Sequence, residues 1–422
     1  MAQKIRFHFD GNAASSGAMK DQKVKLPAKK EQALRNNEFE RTGYIFVGWN
    51  TEKDGSGRIL QNRNVVKEND FTDGEQVTFY AQWKPCVWIA RFFENGTDKV
   101  KMSTAIMPFG KTQELPAADF AKEGFAFDGW NTLKNGLGRK IADAADARRG
   151  LEGKIFSHKI CEVECGPVKK KVNCSQGSCI AKKDGKLYAL VCFIRNSPAF
   201  KAGDDSDYDS SVVLYDMDSK KTVKSVEGLF LDHANGVCYN PEKERFYIVR
   251  LGQNGREGGI VEMDWDLNVT NDIMVKGAEH LGNITYFNKR YYGLVPRKAG
   301  FQFTVLDENL ELTDEGNDEN GKPVYVDGYN EAAYTGQGFG TDGTYIYGIA
   351  ADFKDSMWRR TQRLYIYDFH GKLLGCQKID IPHEVEDITF VDGTMYVSTN
   401  GHDTAGIYTV DLGGVDLYAQ WS

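Results

Sequence analysis

Polar side chains recur at the start of five short apolar stretches in the second half of the chain, and their types and spacing suit ligand chemistry. Each stretch begins with a small or polar pair, continues as an apolar strand, turns, and returns as a strand that ends in tyrosine. Because the inner strands of a circular β-structure converge on its axis, we expect these polar groups to form a ring there. The ring comprises Gln176, Asn235, Asn283, Gln337, Glu386 and Asp387, and His233, His280 and His383 stand slightly upstream.

This ring has two interpretations. Polar groups that converge in a concave site form a ligand pocket. The same groups can instead hold strand ends and channel waters, because buried polar atoms need hydrogen-bond partners. The residues predicted to bind a ligand are Gln176, His233, Asn235, Asn283, Gln337, Glu386 and Asp387.

Catalysis by the ring is the alternative to binding. A glycosidase needs two carboxyl groups at a set separation, and only the neighbours Glu386 and Asp387 stand out. A metal-dependent hydrolase would need a convergent set such as His233, Asn235 and Glu386. No Gly-x-Ser-x-Gly, HExxH or P-loop motif is present. We therefore predict no catalytic residues, no metal ligands and no cofactor, and keep an enzyme as the alternative function.

Four of the eight cysteines cluster just before and within the first of these stretches. They are Cys161, Cys165, Cys174 and Cys179, whose spacing lacks the Cys-x2-Cys pairs of zinc sites. One or two disulfides among these four would suit an extracellular protein. Reduced, unpaired thiols are the alternative interpretation.

The elements that must position the ring are five repeated units of about 45–50 residues, each with several strands. After its paired strands, each unit continues into a strand that ends in an acidic turn, as at residues 213–216 and 364–368. Units of this kind are typical of a β-propeller, and five blades fit residues 174–412.

A different repeat occupies the N-terminal part of the chain. The sequence Tyr-Ala-Gln-Trp occurs at residues 80–83 and again at residues 418–421. Alternating apolar residues predict strands around residues 5–9, 44–49 and 77–83, and residues 30–39 could form a short helix over them. Residues 87–92 and 124–132 repeat the first two strands, so the repeat length is about eighty residues.

The second repeat does not close where the first one does. Its closing strand, residues 415–421, appears only at the C-terminus of the sequence. We therefore predict three domains: a first repeat at 1–84, a discontinuous second repeat at 85–155 and 414–422, and an inserted propeller at 156–413 with a cysteine-containing linker leading into it. Such an insertion is tolerated where the guest's termini lie close together.

The repeat motifs carry a family resemblance. Residues 39–51, the turn Asp54-Gly55-Ser56-Gly57 and the Tyr-Ala-Gln-Trp strand resemble the Listeria–Bacteroides repeat, the B-repeat type of internalin-like surface proteins. The resemblance covers about 150 residues and implies small β-grasp-like modules that act as extracellular spacers or adhesive elements. The inserted part resembles bacterial surface and helveticin-like propellers through His233-Ala234-Asn235-Gly236 and Tyr239-Asn240-Pro241.

Four tryptophans of the repeats could stack on sugars or could form module cores, and we favour cores. They are Trp49, Trp83, Trp130 and Trp421.

Composition limits the remaining function classes. The net charge of -7 argues against nucleic acid as the main partner, and no apolar run is long enough for a membrane helix. We predict a mainly β, non-enzymatic bacterial cell-surface or secreted protein whose partner is a glycan or a cell-surface protein. The alternatives are an extracellular carbohydrate-active or lyase-type enzyme that uses the propeller channel, and a bacteriocin-like protein.

Overall fold

A computed structural model describes most of the chain, and its regular structure is almost entirely β-strand. The described residues are 3–27, 32–62, 64–67, 70–95, 105–110, 115, 118–141, 156–165, 174–194, 210–252, 257–329, 334–352, 361–381, 383–401, 404–412 and 414–421. Within them the one helical element is a 3₁₀ turn at Asp314–Gly316. The prediction of a mainly β protein is confirmed.

The first repeat forms a mixed five-stranded sheet. Its strands are β1 (Gln3–Asp10), β2 (Gln22–Leu26), β4 (Tyr44–Asn50), β5 (Ile59–Leu60) and β7 (Gln76–Pro85), in the order β2-β1-β7-β4-β5, and β3 (Gln32–Ala33) pairs separately with β6 (Val65–Val66). Ile5, Phe7 and Phe9 are buried on one face of β1, as period-two alternation predicts. The ring of Phe9 packs 5.0 Å from that of Trp49, so the sheet closes over an aromatic core.

The predicted helix over this sheet is wrong for the residues described, 32–39. These residues form the short strand β3 and then irregular backbone. The Asn37 side chain explains the difference, because it donates to Phe39 O over 2.9 Å and accepts from Phe39 N over 3.0 Å. Local amide bonds of this kind compete with helical backbone hydrogen bonds.

The second repeat has the same topology, with its central strand supplied by the end of the sequence. Its strands are β8 (Val87–Phe93), β9 (Ala105–Pro108), β10 (Phe127–Asn131), β11 (Lys140–Ile141) and β31 (Gly414–Trp421), in the order β11-β10-β31-β8-β9. Strand β31 runs parallel to β8 and antiparallel to β10, as β7 does with β1 and β4. The predicted pairing of this strand with the second repeat is therefore confirmed.

Between these elements the chain forms five further sheets, here called body sheets 1 to 5. Sheet 1 contains β13 (Cys174–Lys183), β14 (Lys186–Ile194), β15 (Ser210–Asp216) and β16 (Lys221–Leu229). Sheet 2 contains β17 (Gly236–Asn240), β18 (Arg245–Arg250), β19 (Gly259–Met263) and β20 (Val269–Ile273). Sheet 3 contains β21 (Asn283–Phe287), β22 (Arg290–Arg297) and β23 (Gly300–Leu306).

The last two body sheets are also four-stranded. Sheet 4 contains β24 (Tyr334–Thr341), β25 (Ile346–Asp352), β26 (Thr361–Tyr367) and β27 (Leu373–Asp380). Sheet 5 contains β28 (Glu384–Val391), β29 (Thr394–Asn400), β30 (Thr404–Asp411) and, outermost, β12 (Phe156–Glu164).

The first strands of the body sheets form a closed cycle, in which β13 contacts β17, β17 contacts β21, β21 contacts β24, β24 contacts β28, and β28 contacts β13. Strand β12 comes from the predicted linker and pairs with β30, so the two ends of the inserted segment meet in one sheet. That pairing brings the inserted segment's ends together, which insertion into a host module requires.

The repeats are packed against body sheet 4. Ile45 and Cys86 share a buried cluster with Tyr365 and Tyr367 of β26, and the Arg363 guanidinium donates to Phe46 O. Val87 and Ile89 of the second repeat join another cluster that includes Ile349 and Leu364. A shared apolar core holds the two repeats and the body together.

Candidate ligand-binding site

Three inner strands carry β-bulges at the predicted polar positions. The pairing of β13 with β14 shifts at Gln176, that of β24 with β25 shifts at Gln337, and that of β28 with β29 shifts at Glu386. An extra residue in one strand redirects the side chains that follow it. The bulges therefore set which polar groups face the axis of the cycle.

Glycine follows the bulges at Gln176 and Gln337 because the inner strands approach one another closely. A Cβ atom on Gly177 would lie 2.4 Å from Ala234 O, and one on Gly338 would lie 2.4 Å from the Asp387 Cα. Gly236 is similarly packed against the backbone of Asn283. We call the closest-approach residue of each inner strand its axial position: Gly177, Gly236, Asn283, Gly338 and Asp387. Two of these five positions therefore carry a side chain.

Asp387 occupies the axis and is committed to backbone groups. Its Oδ2 accepts the N–H of Ser178 over 3.1 Å and that of Val237 over 3.0 Å, while Oδ1 accepts its neighbour Ile388's N–H over 2.9 Å. Burial raises the pKa of Asp387 to about 8, although these backbone donors lower it. Asp387, which the sequence predicts to bind a ligand, does not line the cavity described below, and its carboxyl group instead joins body sheets 1, 2 and 5.

A cavity of about 390 Å³ lies at one end of the axis, and most of the predicted ring lines it. This volume is within the usual range of small-molecule sites, about 300–1,000 Å³. The predicted residues in its wall are Gln176, His233, Asn235, Asn283 and Gln337. Leu251, Pro296 and Phe301 add apolar surface.

Two polar atoms of the wall are buried without a hydrogen-bond partner. They are Nδ1 of His233 and Oδ1 of Asn235. Burial lowers the pKa of His233, so its imidazole is neutral near neutral pH. Buried polar atoms are almost always paired in proteins, so these two atoms mark where a ligand or water would bind.

Carboxyl groups gather at the side of the cavity formed by body sheet 5. Gln337 Nε2 donates to Glu384 Oε1 over 2.9 Å, which fixes the amide and the carboxylate across two sheets. Glu386 is buried beside them without lining the wall, and its Oε1 also lacks a partner. Burial raises the pKa of Glu386 far above its ordinary value, and Glu384 raises it further.

Among the described wall residues with a polar or thiol side chain, three were absent from the predicted ring: Cys174, Glu384 and Asn400. Cys174 Sγ accepts hydrogen bonds from Gln176 Nε2 over 3.2 Å and Asn400 Nδ2 over 3.1 Å. Glu384 lies two residues before Glu386, and period two alone would have indicated it. Asn400 lies opposite Glu384 on β29, a position that only the pairing register reveals.

The two other upstream histidines lie outside the cavity wall. His280 is exposed, and its Nδ1 is 3.0 Å from Leu251 O. His383 precedes β28, and its carbonyl accepts a hydrogen bond from Gln362 Nε2 over 2.8 Å. The His280 imidazole therefore contacts loop backbone next to the cavity, whereas His383 is held through its own carbonyl group.

The predicted disulfides are absent from the described residues. Cys161 and Cys165 pack in one buried cluster, while Cys174 and Cys179 pack in another. Cys174 and Cys179 lie five residues apart on β13, and because extended chain rises about 3.3 Å per residue, they exceed the roughly 7 Å Cα separation that a disulfide allows. The reduced-thiol alternative agrees with this arrangement.

The repeat tryptophans are mainly core residues. Trp49 and Trp130 are fully buried, whereas Trp83 and Trp421 are half-buried. The indole N–H of Trp83 donates to Gly11 O and that of Trp421 to Glu94 O, each over 2.9 Å. These equivalent bonds close the two sheets in the same way.

Comparison with known proteins identifies the repeats. Residues 4–82 and 90–149 match the family model of the Listeria-Bacteroides repeat domain. A protein of Evansella cellulosilytica with the provisional name Gly-rich membrane protein is 34% identical over 127 residues, which cover 30% of this chain and 14% of that protein. A second protein of that organism, provisionally named a membrane protein, is 27% identical over 114 residues, which cover 27% of this chain and 15% of the relative.

Solved structures overlap only loosely with the chain. A glycosyl hydrolase from Bacteroides ovatus has a TM-score of 0.39 at 10% identity and covers 73% of this chain and 99% of its own. A gluconolactonase from Xanthomonas campestris has a TM-score of 0.33 at 11% identity and covers 62% of this chain and 97% of its own. Overlaps at this level do not define an activity.

The described residues contain no helix long and apolar enough to cross a membrane. In the same part of the chain, no group of three or more His, Cys, Asp or Glu side chains is arranged to hold a metal ion.

Proposed function

We propose that this protein is a bacterial surface-associated or secreted binding protein whose body is a five-bladed propeller that takes a glycan at the 390 Å³ cavity. The cyclic contacts of the five inner strands support the propeller assignment. The family match of the repeats and the provisional membrane-protein names of the relatives support an extracellular location.

The observation that carries the binding proposal is the pair of unpartnered buried atoms, His233 Nδ1 and Asn235 Oδ1. Sugar hydroxyls both donate and accept, so one ligand class satisfies an imidazole nitrogen and an amide oxygen together. Phe301 supplies an apolar face beside them, and a sugar ring presents C–H groups to such faces. Among the described residues of the wall, Glu384 is the one acidic side chain and none is Lys or Arg, which suits a polar ligand of little or no net charge.

The repeats would hold this site away from the cell surface or attach the protein to other surface molecules. Their shared core with body sheet 4 makes them a fixed extension of the body rather than a flexible tether. An adhesive role therefore requires the exposed edges of the repeat sheets.

An enzyme that uses the same cavity is the second candidate, supported by the carboxyl group of Glu384 in the wall and that of Glu386 buried behind it. Glycoside hydrolysis uses one carboxyl group kept neutral and one ionised. The raised pKa of Glu386 beside Glu384 matches that division. No equivalent observation bears on the bacteriocin-like alternative, which stays a prediction.

A glycan array followed by product analysis separates the two candidates. We expect retention of particular glycans by the full chain, with no release of reducing sugar from the same polymers. If the wild type releases reducing sugar and Glu386→Gln does not, the proposed function would be catalysis instead of binding. An array without any retained glycan would contradict the proposed ligand class.

A further inference from the structure

A second cavity, of about 410 Å³, lies at the opposite end of the body axis. The order of residues along β13 places it there: Gln176 lines the first cavity, the N–H of Ser178 binds Asp387, and Ile180 lines the second cavity. The Asp387 layer therefore separates two cavities that can be altered independently.

Aromatic side chains from three body sheets form the walls of this second cavity. Tyr239, Tyr286 and Phe390 each stand three residues after the axial position of their strand, and all line the cavity. Phe287 adds a ring that is 38% exposed. Because the three strands have the same register, these rings lie at equivalent positions in the cavity wall, and each is held by an aromatic neighbour of its own.

The charge at the rim is negative. Lys182 lines the cavity, but its Nζ lies 2.6 Å from Asp392 Oδ2, so these two charges largely offset each other. Glu242 is exposed at the rim and close enough to Tyr286 that its carboxylate raises the pKa of that phenol, in addition to the effect of burial. A carboxylate beside aromatic faces is left to attract a positive ligand.

We propose that the second cavity binds an organic cation, a substituted ammonium group, between the aromatic walls and Glu242. The electron-rich faces of aromatic rings attract cations, and recognition of quaternary ammonium groups is a known use of such walls. A neutral molecule of the same shape gains the apolar contacts alone. The site is distinct from the proposed glycan cavity.

Choline chloride and its uncharged isostere dimethylbutanol, in which carbon replaces the nitrogen, test this inference on the full chain. Titration is followed by calorimetry and by the fluorescence of Trp265, whose ring lies 5.4 Å from that of Tyr239. We expect choline to bind roughly 3- to 10-fold more tightly than dimethylbutanol, from the usual strength of cation–π contacts. Equal affinity for the two probes, or no binding of either, would overturn the proposal.

Variants separate the contribution of the Glu242 charge to binding from that of the aromatic walls. Glu242→Gln should weaken choline binding and leave dimethylbutanol unchanged, and it lies on an exposed turn where folding is not at risk. Phe390→Leu should weaken both probes. Asn235→Ala, at the other cavity, should change neither, so glycan binding and cation binding fail or succeed separately. Loss of choline binding in Asn235→Ala, or unchanged choline binding in Glu242→Gln, would contradict the assignment.

Discussion

The backbone N–H of Val237 donates to Oδ2 of Asp387 over 3.0 Å, although 150 residues separate them in the sequence. The same oxygen accepts the N–H of Ser178. One buried carboxyl group thus joins three body sheets at the point where their inner strands meet. The stability of the body should depend on the charge of this group.

Asp387→Asn should reduce the loss of stability at higher pH. The folded-state pKa of about 8 exceeds the ordinary value of 3.8, so folding favours the protonated form. The stabilisation is complete below about pH 4 and is lost as pH rises toward 8, at up to about 1.4 kcal/mol per pH unit. Urea unfolding across this range should show that the free energy of unfolding of the variant rises relative to that of the wild type as pH rises.

Asp218→Asn is the matched control, because Asp218 is exposed on a turn of body sheet 1. Its free energy of unfolding should depend on pH in the same way as that of the wild type. The same pH dependence in Asp387→Asn as well would mean that the Asp387 carboxyl group is ionised in the folded protein throughout the range.

Removal of residues 414–422 should unfold the second repeat and leave the body folded, although body sheet 4 would lose the packing of Val87 and Ile89. Strand β31 is the central strand of that sheet, and Leu417 and Ala419 are fully buried beside Trp130. Leu417→Ala alone should cost about 2–5 kcal/mol. Limited proteolysis with mass spectrometry should find early cuts between residues 87 and 141. Protection of that segment in the truncated protein would contradict the role of β31.

Ile45→Ala should loosen body sheet 4 as well as the first repeat. Ile45 is fully buried against Tyr365 and Tyr367, and the truncation should cost about 2–5 kcal/mol. Ile5→Ala is the matched control, because Ile5 lies in the core of the first repeat alone. Hydrogen exchange of β26 and β27 should rise in the first variant only. Equal exchange in both variants would mean that the repeat and the body are not coupled.

The Cys161 and Cys179 thiols should react only after unfolding. Burial raises the pKa of Cys161 to about 11 and that of Cys179 to about 12, so little thiolate is present at neutral pH. Alkylation followed by peptide mapping should label both residues in denaturant and neither in the native protein. Failure to label them in denaturant without reductant would restore the disulfide interpretation.

Much of the architecture could be predicted from the sequence because the patterns that indicate strands and turns are repeated. The second Tyr-Ala-Gln-Trp strand has the buried face of the first, so its pairing partners follow from the copy. The polar residues at the start of the repeated stretches predicted Gln176, Asn235 and Gln337 as neighbours, and all three line one cavity. Repetition supplies the register that a single strand lacks.

The sequence does not reveal the local register of a strand, nor the side-chain hydrogen bonds that compete with those of a helix. The bulge at Glu386 adds one residue to β28, so the Asp387 side chain turns to backbone groups instead of the cavity. Bulges have no clear sequence signal here, and the ring prediction therefore included Asp387. The predicted helix failed for a similar reason, since the bonds of Asn37 with Phe39 outweigh the helical preference of its neighbours.

The affinity of Asn235→Ala for a glycan retained on the array tests the binding proposal most directly. Asn271→Ala is the matched control, since Asn271 is exposed on β20, away from the cavity wall. Calorimetry should show the control binding like the wild type and Asn235→Ala binding about tenfold or more weakly, with an unchanged melting temperature. Unchanged affinity in Asn235→Ala would contradict the claim that the glycan occupies this cavity.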